Sequence, residues 1–446
     1  MTTIFSRMHG AQARHAGLVL VCGAAALALA ACGSSSGGGT SGGGSTGASG
    51  GTINVGVIGP MTGPAAEIGN LMSGACYAAV LDVNKAGGPL GSKLNCNLVD
   101  DTGDPADAVP NVTKALATVS NLDMAVGLES NTAATTIPLV NNAKIPMVST
   151  NGLVAFDKTT DQYFWRMTPS DDQNGAAFVA WANQKGCKRL AVVFQNNIGA
   201  QGNDPGVVAA AKTSGDTLTI DTTIPGDASS YSSVVAKVAG GKPDCLILAG
   251  DPQTSATFLS EYKQLDNGSV PQVVTSTDSI TPAYFSAVQK VMGTAFLTKD
   301  MYFVGSYVDP NSSAFAVYKT AVNSASQIKD PQTILGVGVI ASIYDGINLM
   351  ALAMTQAKST SGPVYNADIA KIASGGPGAV TVDSYAAGLA ALKAGKQIHY
   401  VGVGGEIHFN AYHNSPGNYS ASGFDASGNP VLLGVIPGTT VQQLMG

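Results

Sequence analysis

Short apolar runs alternate with segments of helical spacing along most of this chain, and that alternation restricts the fold more than any other feature. Residues 53–58 (INVGVI) are a strand-length apolar run followed by Gly59-Pro60. The spacing of Ile68, Leu71, Met72, Ala75, Ala79 and Val83 predicts a helix over 67–85, stopped by Gly87-Gly88-Pro89. Strands are expected at 94–99, 124–128 and 146–149, with helices at 106–120 and 132–142 between them. After residue 170 the rhythm restarts. Helices at 173–185, 205–214, 230–240 and 254–265 alternate with strands at 189–194, 217–223, 245–250 and 272–275. Strands separated by helices pair in parallel through right-handed crossovers. The fold class is therefore α/β, with two doubly wound parallel-sheet lobes, and 446 residues are enough for both. Such sheets take ligands at the carboxyl ends of their strands. Those ends carry Gly59, Asp100, Glu129, Ser149, Gln195, Asp251 and Thr275.

The first residues read as an address. Arg7 and Arg14 precede an apolar run over 16–31, which is short of the ~20 residues a membrane span needs. The run ends Leu29-Ala30-Ala31-Cys32-Gly33, which resembles a bacterial lipobox. Residues 1–31 are expected to be a lipoprotein signal and Cys32 the lipid-bearing residue. Residues 33–51 are ten Gly, six Ser, two Thr and one Ala, so 32–51 form the anchor and a flexible tether of roughly 25 Å reach. The expected location is extracytoplasmic, on the membrane surface. A second apolar stretch, 333–354, holds a single charge, Asp345, at its centre. A charge at mid-bilayer costs at least ~2.5 kcal/mol, so this stretch is expected to be a buried packing helix.

Cysteine usage agrees with that location. With Cys22 in the signal and Cys32 lipidated, four cysteines remain, and three pairings are possible. The strand order favours Cys76–Cys96 and Cys187–Cys245. The first pair joins a helix to the strand after it. The second joins the starts of two strands that a doubly wound sheet makes neighbours. Composition excludes other classes. Lys and Arg total 23 against 29 Asp and Glu, and they are scattered, so no basic stripe exists for nucleic acid. His399, His408 and His413 fit no zinc spacing, and Asp100, Asp101, Asp104 and Asp107 lack the calcium-loop pattern. No G-x-S-x-G or P-loop is present. Neither a metal, a cofactor nor enzymatic activity is expected.

The stretch VGVIGPMTGPAAEIGN (55–70) resembles the opening of the leucine/isoleucine/valine-binding protein family, type I solute-binding proteins of ABC importers. GA…DVNKAGGPLGSKL (74–94), DDTGDPADAV (100–109), IPMVS (145–149), KPDCLILAG (242–250) and Tyr344-Asp345 extend the resemblance in order. It implies a clamshell whose lobes are joined by three crossings, placed near 166–170, 296–306 and 406–416. The N-terminal lobe would comprise 52–168 and 300–410, and the C-terminal lobe 169–299 and 411–446. A small solute would be trapped between them and passed to an ABC permease. A ligand-sensing lobe pair without transport is the alternative.

The resemblance also implies a site. The family's carboxylate-binding Ser matches Ser130, followed by Asn131. Independently, Ser130-Asn131-Thr132 is expected to cap the helix that follows, where free N–H groups suit an anion. The family's carbonyl donor maps to Asn151, beside Gly152, while its Thr maps to Leu153. Its two cleft aromatics map to Ile68 and Ile198. The acid that pairs with a ligand ammonium maps nearest to Asp278, and Asp251 at a strand end is a second candidate. The solute expected is an amino acid, branched-chain or related, or a carboxylate.

Overall fold

The computed structural model describes residues 50–446, apart from 64, 120–121, 266–267 and 416. The expected signal 1–31, Cys32 and all but the last two residues of the tether lie outside the described residues. The first sheet is built from β1 (Thr52–Gly59), β2 (Lys93–Asp100), β3 (Leu122–Gly127), β4 (Met147–Ser149) and β5 (Phe164–Arg166). Its order is β2-β1-β3-β4-β5, all parallel. The chain reverses direction of growth between β1 and β3, so the switch point that receives ligands lies at Gly59 and Glu129.

The second sheet begins with β6 (Arg189–Gln195), β7 (Thr217–Ile224), β8 (Cys245–Ala249), β9 (Gln272–Ser276) and β10 (Met301–Ser306). A small sheet of β11 (Val380–Val382), β12 (Ile398–Gly402) and β13 (Gly405–Glu406) follows. The chain then returns as β14 (Tyr419–Phe424) and β15 (Pro430–Ile436) to complete the order β15-β14-β10-β9-β8-β6-β7. β8 is buried at every position, as a central parallel strand covered on both faces must be. β14 and β15 are antiparallel. Asp425 builds their turn: its carboxylate accepts the Ser427 and Asn429 N–H groups, and Gly428 supplies the positive φ of 85°.

Two segments sit elsewhere than the sequence suggested. Residues 301–306, expected in the first lobe, form β10 between β9 and β14 of the second sheet. Residues 411–415, expected in the second lobe, run along β5. The Arg166 N–H donates to the His413 carbonyl, the Ser415 N–H donates to the Arg166 carbonyl, and the Trp165 and His413 rings stack at 3.9 Å. The crossings therefore leave the sheets after Arg166, Ser306 and Ser415. All three line one cavity of about 40 Å³, touched by Met167 and Pro169, by Ser306 and Tyr307, and by residues from Gly404 to Asn418.

The helix Gly338–Ala357 is apolar and long enough to cross a membrane, but most of it is buried inside the protein. It packs on the helix Ala66–Lys85, where the Tyr344 hydroxyl donates to Asp82. It also lies so close to β4 that a Cβ on Gly346 would meet Val148 at 2.8 Å. The cysteines pair as Cys76–Cys96 and Cys187–Cys245. Strand neighbours explain the second bond, since Leu190 of β6 is in register with Cys245 of β8.

Candidate functional site

The carboxyl ends of the two sheets face each other, and the lobes touch there at three places. Glu67, in the first turn of the helix Ala66–Lys85, comes near the Thr281 hydroxyl of the second lobe, which acts against the burial that raises its carboxyl. A Cβ on Gly199 of the second lobe would stand 3.9 Å from the Ser130 Cβ. The Gly152 carbonyl accepts the Asp171 N–H at 2.6 Å.

On the first lobe, β3 hands directly into the helix Ser130–Asn142. Ser130, expected to cap this helix, is its first residue; the cap is Glu129. The Glu129 Oε2 accepts the Asn131 N–H at 2.9 Å and the Asn131 side-chain amide at 3.0 Å. A carboxylate of the protein thus occupies the helix end where a guest carboxylate was expected. The Ser130 hydroxyl instead accepts the Gly152 N–H at 3.1 Å, so Ser130 and Gly152 are brought together. Asn151 is fully buried. Its side chain is spent within the loop, donating to the Ser149 hydroxyl and accepting the Leu153 N–H. Asp101, also buried, receives the Thr132 hydroxyl and the Gly103 N–H, which gives the acidic cluster after β2 a structural use.

On the second lobe, Asp171 opens the helix Asp171–Gln184 just past the first crossing. Its carboxyl is wedged between glycines. A Cβ on Gly152 would lie 1.8 Å from Oδ1, and one on Gly202 would lie 2.4 Å from Oδ2. Gly152→Ala is therefore expected to cost about 1–3 kcal/mol of stability, read by thermal unfolding. Gly199→Ala, with nothing nearer than 3.8 Å, should melt as the unaltered chain does. Asp278 stands close enough for its charge to oppose that of Asp171. Asp251 is a helix cap: its oxygens accept the Thr254 N–H and hydroxyl at 2.8 and 2.9 Å. Ile198 opens the short helix Ile198–Gln201 and is 49% exposed. Ile68 follows Glu67 and is partly buried.

Burial dominates the electrostatics here. It raises the Glu129 carboxyl to about 7, against the hydrogen bonds from Asn131. It raises Asp171 to about 8, helped by Asp278 and opposed by Arg166. Desolvation also raises Asp278, although the residue is exposed. Glu67 and Asp171 were not among the residues expected at the site, and Glu129 was expected there only as a residue at a strand end. Each stands at the start of a helix, where an acid reads as an ordinary complement to the helix dipole.

A cavity of about 360 Å³ is lined by other residues than those of this junction. Tyr307, Asp309, Val382, Asp383, Val403 and Glu406 line it. These residues lie on the second and third crossings and on first-lobe segments, so a guest there could not hold the lobes together.

A family model for periplasmic binding proteins matches residues 52–420. The Leu/Ile/Val-binding protein BraC3 of Rhizobium johnstonii is 28% identical over 203 residues, which are 44% of this chain and 54% of that protein. The matched segment thus spans about half the length of the curated relative. Among solved structures, the branched-chain amino acid substrate-binding protein LivJ of Streptococcus pneumoniae, in complex with isoleucine, superposes with a TM-score of 0.67. It is 18% identical, with 86% of this chain and 99% of LivJ covered. An R. palustris solute-binding protein in complex with 4-hydroxybenzoate also gives 0.67, at 15% identity, with 86% and 97% covered. The paired parallel-sheet lobes, the three crossings between them and the match over residues 52–420 lead to one statement: this chain belongs to the periplasmic binding protein family.

Proposed function

We propose that this chain is the extracytoplasmic substrate-binding lipoprotein of an ABC importer, tethered through Cys32, and that it closes two lobes on a small solute. The observation that carries this reading is the convergence of Ser130 and Gly152 from one lobe with Asp171 and Gly199 from the other. A guest at that junction contacts both lobes, and only the closed state offers it both sets of contacts, so binding shifts the population toward closure. A permease can then distinguish the loaded form. The relatives' names and titles support a small organic solute, either an amino acid or an aromatic acid.

The test is small-angle scattering of the purified full-length chain before and after adding the solute that mass spectrometry finds co-purifying with it. The expected result is a smaller radius of gyration on binding. A radius that never changes with any co-purifying solute contradicts the reading. Replacing Cys32 with Ala is expected to move the protein from the membrane fraction to the soluble fraction.

A further inference from the structure

The sheets are electrically polar along their strands. Lys93 opens β2, Lys144 precedes β4, Arg189 opens β6, Lys242 precedes β8 and Lys299 precedes β10. At the opposite, facing ends stand Asp100, Glu129, Asp251 and Asp278, joined by Glu67 and Asp171. Arg166 is the basic residue at this edge, and its guanidinium is occupied. It pairs with Asp157 and donates to the Leu153 carbonyl and the Asn414 side chain. Among the described residues, none of Glu67, Glu129, Asp171, Asp251 or Asp278 has an ion-pair partner.

One oxygen of each of two of these acids also lacks a hydrogen-bond donor. The Glu129 Oε1 and the Asp171 Oδ2 are buried with no partner. A buried acceptor left without a donor is costly, and a guest that brings N–H groups relieves the cost. A guest carboxylate meets the reverse situation: Glu129 already holds the Asn131 N–H. A cleft lined by one sign of charge with low-dielectric walls concentrates ions of the other sign.

Resting on the two-lobe reading above, we infer that the interlobe site selects organic amines of net positive charge over neutral amino acids and carboxylates. Glu129 on one lobe and the Asp171–Asp278 pair on the other take the ammonium hydrogens.

Calorimetric titration of the full-length chain with putrescine, arginine, leucine and benzoate tests this. Putrescine or arginine should bind at least about 10-fold more tightly than leucine, benzoate should give no heat, and added salt should weaken the amines. Glu129→Gln and Asp278→Asn should each lower amine affinity about 10-fold while the melting temperature stays within a few degrees. Equal or tighter binding of leucine or benzoate overturns the inference and leaves the two-lobe reading standing. So does amine affinity unchanged in Glu129→Gln, or an anion found by mass spectrometry in the purified chain. Scattering that shows no compaction with any bound probe defeats the two-lobe reading itself.

Discussion

Replacing Asp345 with Ala should destabilise the chain by about 3–5 kcal/mol, seen as a drop of roughly 5–10 °C in melting temperature. Asp345 is buried in the helix Gly338–Ala357, where its carboxylate is the shared acceptor for three donors. The Tyr400 hydroxyl lies at 2.9 Å, the Val403 N–H at 3.0 Å and the Gly404 N–H at 3.3 Å. Each donor would lose its protein acceptor. A Cβ on Gly402 would already come within 2.4 Å of the carboxylate, so the loop is moulded onto the acid. Residues 402–404 lead into the third crossing, which makes this interaction the tie between the core helix of the first lobe and the path to the second. Asp345→Asn keeps the shape and one acceptor oxygen, and should cost about half as much. An Asp345→Ala chain that melts with the unaltered one would show that these donors find other partners.

The same residue shows what was legible in the sequence. Asp345 in a 22-residue apolar stretch, with glycines around it, signalled a helix packed inside protein rather than lipid, because a lone charge needs donors that lipid lacks. The parallel strands were legible because runs such as RLAVVFQ are short, apolar and bounded by turns, and the Cys187–Cys245 bond followed from β6 and β8 being neighbours. Membership of β10 was not legible. Nothing in Met301–Ser306 itself distinguishes the two sheets; its place is made by pairing with β9 on one side and with β14, more than a hundred residues later, on the other. The β14–β15 hairpin did have a local signal, Asp425 three residues before Gly428, which the repeating strand–helix rhythm obscured. At the site, Ser130 drew attention as a familiar cap residue. Glu129 took that place because the helix already includes Ser130, which leaves Glu129 in the extended backbone of the cap, its carboxylate on the Asn131 N–H. Asp171 was hidden for a different reason: its importance comes from Gly152 and Gly202, which approach it from distant parts of the chain.

The stability of the empty protein should fall as pH rises from about 5 to 8.5, against the common expectation of an optimum near neutrality. Burial raises the carboxyls of Asp345 to about 6, Glu129 to about 7 and Asp171 to about 8. An acid that holds its proton more tightly when folded contributes stability that is complete below its unfolded value, near 4, and is lost as pH climbs through the folded value. The window is therefore set by those three groups, and at about 1.4 kcal/mol per unit the loss amounts to several kcal/mol. The neighbours act in known directions. Asp101 faces Glu129, and Asp278, Asp172 and Asp157 face Asp171, all raising; Arg166 opposes them at Asp171. Asp100, held below its usual value because hydrogen bonds from Thr62, Thr102 and Met61 outweigh its burial, loses its contribution only in acid below this window. Melting temperatures measured across the range should decline, and Glu129→Gln should flatten the decline near pH 7. A melting temperature that rises steadily from pH 5 to 8.5 would refute the burial of these charges. Binding supplies a second readout of the same groups. A cationic guest stabilises their ionised forms, so its arrival at pH 7 releases protons and its heat scales with the ionisation enthalpy of the buffer. An anionic guest would instead draw protons in, and the sign of that dependence separates the two ligand classes in a single calorimeter.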